Sequence, residues 1–125
     1  MALEAIPGDV RDFVDQFIDT VAQLEALLLL RNNPNEKWDV KKVAQRLYIG
    51  ERHATEALSR LRADGLLGVE NDQWCFACAT TELESIVGRL AALHSQNLIA
   101  LTNVIHSKPR GARQFADAFK LRKDR

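Results

Sequence analysis

The stretch that decides the fold is WDVKKVAQRLYIGERHATEALSRLRADGLLGVENDQWCF, residues 38–76. It holds two helical patterns separated by almost nothing. In the first, Asp39 stands where a side-chain cap belongs, and Val40, Val43, Ala44 and Leu47 recur on one face. "YIG" then allows only a tight turn. In the second, Ala54, Ala57, Leu58 and Leu61 line one side of a longer helix, and Gly65 ends it as a C-terminal glycine should. Leu66, Leu67 and Val69 follow as a strand, "END" at 70–72 turns the chain, and "QWCFA" returns as a second strand with Trp74 and Phe76 on one face.

Upstream, Val10, Phe13, Val14, Phe17 and Ile18 give one apolar helix face over 9–18, with Pro7 and Gly8 outside it and Asp9 as its cap. Thr20 and Gln23 make a capping box for a nearly all-apolar helix, 20–32, which Asn32, Asn33 and Pro34 stop. Downstream, Thr81 and Glu84 form another candidate box for a long helix to about Ser107. At about 1.5 Å per residue it would reach roughly 40 Å. Its residues Leu83, Val87, Leu90, His94, Asn97, Leu101 and Val104 alternate in steps of four and three, the spacing of a coiled-coil seam. Pro109 breaks it, and Phe115, Ala116 and Phe119 anchor a short amphipathic turn or two beyond.

Helix, short helix, tight turn, longer helix and hairpin is the order of a winged helix-turn-helix. Residues 38–76 resemble bacterial transcriptional regulators of the MarR and ArsR kind. The resemblance covers about half the chain if the helix at 20–32 is counted as the first of the three-helix core. It implies a mainly α fold: an N-terminal helix in 1–19, the winged domain in 20–79, a long C-terminal helix in 80–108 available for dimerisation, and a basic tail in 109–125. It also implies that the helix at 51–64 enters a major groove. On that helix Arg52, Thr55 and Ser59 would read bases or touch phosphate, and Lys41, Lys42 and Arg60 would hold backbone.

Charge sets a second reading beside the first. Net charge is zero, with 46% hydrophobic and 27% charged residues, the composition of a folded globular chain. Residues 1–107 carry 10 Lys/Arg against 15 Asp/Glu, and residues 108–125 carry 7 against 2. Residues 37–76 carry 7 against 6, and "END" makes the wing turn acidic. Arg52, Glu56 and Arg60 also form an ordinary solvated i, i+4 ladder. A winged-helix module that binds another protein therefore stands as the alternative to direct DNA binding.

Cys75 and Cys78 resemble a redox pair only superficially. A strand separates their side chains and supplies no helix dipole to favour thiolate. A zinc site would need two more ligands, and the chain has only His53, His94 and His106. A thiolate metal sensor of the ArsR kind would have to draw Cys75, Cys78 and a histidine from a second subunit. No phosphate loop, nucleophile elbow or HExxH is present, so neither enzyme activity nor a cofactor is expected. The N-terminus lacks signal-peptide features and ALLLL at 26–30 is too short to span a bilayer. The expectation is a cytoplasmic homodimer, joined through its C-terminal and N-terminal helices, with double-stranded DNA or a protein as partner and no membrane.

Overall fold

The computed structural model describes residues 6–107. Those residues form six helices and one antiparallel hairpin: α1 (Gly8–Phe17), α2 (Val21–Asn32), α3 (Val40–Leu47), α4 (Glu51–Ala63), β1 (Leu67–Glu70), β2 (Gln73–Phe76), α5 (Thr81–Gln96) and α6 (Leu98–His106). The tail anchors Phe115, Ala116 and Phe119 lie outside the described residues. No helix among them is long and apolar enough to cross a membrane.

α2 is the central rod. Gln23, Leu24, Ala26, Leu27, Leu28 and Leu30 are all buried, as expected of a helix apolar on nearly every side. The Thr20 hydroxyl accepts from the Gln23 amide at 3.1 Å, while the Gln23 side chain accepts from the Asp19 amide at 2.6 Å. The reciprocal bond of the capping box thus reaches one residue further back than expected.

α3 and α4 pack on each other, and α4 also packs on α2. Asp39 caps α3 by accepting from the Lys42 amide at 2.7 Å. Tyr48 turns the chain out of α3 in the left-handed region, φ 59°. Gly65, at φ +80°, closes the end of α4, and a Cβ there would lie 3.2 Å from that of Ala79. A side chain at this position would be strained in both backbone and contact.

In the hairpin Val69 opposes Trp74 and Glu70 opposes Gln73. Asn71 and Asp72 both take positive φ, 53° and 63°, as a two-residue primed turn requires. The Trp74 amide also donates to the Trp38 carbonyl at 2.7 Å in an isolated antiparallel bridge. Trp38 therefore adds a one-residue third rung to the sheet.

Three expectations about the flanking helices need correction. α1 begins at Gly8 with Pro7 at its cap position, and no side chain caps it. Asp9 lies in the first turn instead, where its carboxylate accepts from the Val10 amide at 2.9 Å and faces the positive end of the helix dipole. The cap of α5 is Thr80, not Thr81: Thr80 has the extended backbone of a cap residue and accepts from the Leu83 amide at 3.1 Å.

The largest difference is in the long helix, which breaks at Asn97 (φ −147°, ψ 58°) into helices of 16 and 9 residues. Both halves pack on α1. Val87, Leu90, Leu101 and Val104 of the supposed seam are buried in the chain's own core. His94 turns to Glu25 of α2 at 2.9 Å. The break lets two apolar stripes reach one core, and it leaves Leu98 and Ile99 exposed beside the bend.

Candidate nucleic-acid interface

α4 presents the face the sequence suggests. Ala54, Ala57, Leu58 and Leu61 are buried, so the residues about 180° away must face outward at 100° per residue. Arg52, Thr55, Glu56, Ser59 and Ala63 are all exposed. Arg52 has 89% of its side chain in solvent, and its Nε lies 3.6 Å from Glu56. A pair so exposed is worth a few tenths of a kcal/mol and yields readily to a stronger anion. Thr55 spends its hydroxyl proton on the Glu51 carbonyl at 2.9 Å, which leaves its lone pairs outward.

The other expected contacts are not equally available. Lys41 is exposed on α3. Lys42 is drawn inward: its ammonium lies 3.0 Å from Glu36, donates to the Lys37 carbonyl at 3.2 Å, and sits 4.8 Å from the centre of the Trp38 ring. Arg46 makes the same choice, 3.2 Å from Glu36 and 5.1 Å from the Trp38 ring. Together the two cations and one carboxylate clamp the indole. The Lys42 hydrogen bond, helped by the fields of Lys42 and Arg46, holds the Glu36 carboxyl below its ordinary value. The clamp is thus complete at neutral pH and loosens only as pH falls through that lowered value. Arg60 lies at the edge of the face, two-thirds covered and 3.9 Å from Asp64.

Two residues escaped the sequence reading. Arg62 is exposed on α4, on the Thr55 side of the face; its helical angle from Arg52 was already legible in the numbering. Tyr48 is 94% exposed between α3 and α4. The signal for it was an aromatic residue in a two-helix turn with no apolar position to fill. Against these stand Glu51 and Glu56 on α4 and Glu70 and Asp72 at the hairpin turn, all exposed.

Cys75 is exposed on β2 and Cys78 is half-buried just past it. Burial, with the charge of Glu84 behind it, pushes the Cys78 thiol up to about 11. At neutral pH Cys78 is therefore a thiol and a poor nucleophile. Iodoacetamide should label Cys75 well before Cys78, read over time by fragmenting the single tryptic peptide, 63–89, that carries both; equal rates would contradict the burial. No cluster of three or more His, Cys, Asp or Glu able to hold a metal ion occurs among the described residues.

Comparison with family models, curated proteins and solved structures returns no match to this chain.

Proposed function

We propose that the chain is a winged-helix DNA-binding protein that acts as a transcriptional regulator. The observation that carries this is the outward side of α4. A 13-residue helix, held from behind by four buried residues, leaves a whole face with Arg52, Thr55 and Ser59 uncovered. Three helices with a hairpin beside them support the winged reading, and the Trp38 bridge adds the third rung that a wing sheet uses. In this reading α4 enters the major groove, Arg52, Thr55 and Ser59 face base edges or phosphates, and Lys41 and Arg62 sit on the backbone. Lys42 and Arg60 contribute only by giving up Glu36 and Asp64. A homodimer would place two such helices on successive half-sites, and exposed Leu98 and Ile99 offer apolar surface for the second copy. The setting is cytoplasmic, with neither cofactor nor catalysis.

One observation favours the second reading, a protein partner for the same face. The hairpin turn presents Glu70 and Asp72 where a wing would meet phosphate. A salt series on mixed-sequence duplex DNA separates the two. DNA binding predicts that log affinity falls linearly with log salt, by about 0.9 per phosphate neutralised. No association even at low salt would end the DNA reading and leave the protein partner.

A further inference from the structure

A groove of about 550 Å³ runs between α1 and α5, away from the α4 face. Phe17, Leu83 and Ile86 give it a half-buried apolar floor, and Asp9, Asp12 and Glu82 stand along its rim. Arg89 crosses the groove to pair with Asp9, which leaves Asp12 and Glu82 exposed and without an ion pair to another described residue. Apolar floor and acidic rim together call for an occupant with aromatic side chains between positive charges.

The same chain carries such a segment. Residues 108–125 hold 7 Lys/Arg against 2 Asp/Glu, with Phe115 and Phe119 among them. α6, which leads into that segment, packs on both α1 and α5, the two walls of the groove. The eight residues from Ser107 to Phe115 span up to about 26–29 Å when extended. α1 is only about 15 Å long, so that span exceeds the length of the groove's α1 wall.

We propose that the α1–α5 groove is the docking site of the chain's own segment 108–125, with Phe115 and Phe119 on its floor and the basic residues against Asp12 and Glu82. Docked in this way, the most basic part of the chain is held against its acidic body and withheld from other polyanions. The inference stands apart from DNA binding, because neither wall of the groove belongs to the α4 face.

Zero-length carbodiimide coupling of the full chain tests it, using an equal mixture of ordinary and nitrogen-15-labelled protein. The expected products join Asp12 or Glu82 to Lys120 or Lys123 within single-isotope peptides. Phe115→Ser combined with Phe119→Ser keeps every charge and should lower that yield about tenfold or more, since each ring gives up apolar burial. Absence of these links, or an unchanged yield in the double variant, would overturn the docking. Mixed-isotope links making up about half of the total, the 1:2:1 pattern of random pairing between copies, would overturn it in favour of a second copy as occupant.

Discussion

Trp38→Ala lowers the free energy of unfolding by about 3–5 kcal/mol, a large share of the total for a domain of this size. The indole is 1% exposed and belongs to the main core. Its ring N–H donates to the Asn33 carbonyl at 3.2 Å, which ties the end of α2 to the start of α3. Lys42 and Arg46 lie 4.8 and 5.1 Å from its ring, both tethered by Glu36. Removing the ring opens a cavity and leaves that charge clamp closed on nothing. Urea denaturation followed by circular dichroism measures the loss. The chain has two tryptophans, so in the variant fluorescence reports Trp74 alone and tells whether β2 is still ordered. Trp38→Phe is the companion variant: it keeps most of the ring and drops the hydrogen bond, and should cost clearly less. A loss under about 1 kcal/mol for the alanine variant would mean the site collapses without harm, and that the bridge to β2 does not depend on the ring.

The part played by Trp38 also marks the limit of what the sequence alone makes legible. Local chemistry is readable where one or two residues decide it. The caps at Thr20 and Asp39, the left-handed Gly65 and the Asn71–Asp72 turn all follow from neighbours within four positions. The face of α4 follows from helical periodicity. The break at Asn97 does not, because apolar steps of four and three are the same whether the helix continues or bends around α1. Thr80 and Thr81 are equal candidates for a cap until the backbone picks the extended one. Lys42 faces outward on a helical wheel, yet the wheel omits a carboxylate on another segment. Glu36 reaches Lys42 from the loop before α3, and only the folded chain brings Trp38 between them. Residues that need a tertiary neighbour to set their role are the ones the sequence leaves open.

The same distinction between clamped and outward-reaching cations gives the sharpest functional test. In the DNA-binding reading, Arg52→Ala with Arg62→Ala removes two phosphate contacts from the outward face of α4. Each contact contributes about 0.9 to the slope of log affinity against log salt, so the slope should become shallower by roughly 2. Between 50 and 200 mM salt the unaltered protein should then lose about tenfold more affinity than the double variant. Both side chains are exposed, so folding should be unaffected and a melting curve should confirm it. Glu56→Gln is the opposite probe. It removes the carboxylate 3.6 Å from Arg52 and one negative charge from the face, so it should tighten DNA binding while the slope holds or steepens. A steep slope in the unaltered protein that the double variant leaves unchanged would move the contacts off α4 to the basic segment 108–125. That segment has the charge to bind phosphate without reading sequence, and it would be competing for the DNA with the groove proposed to hold it.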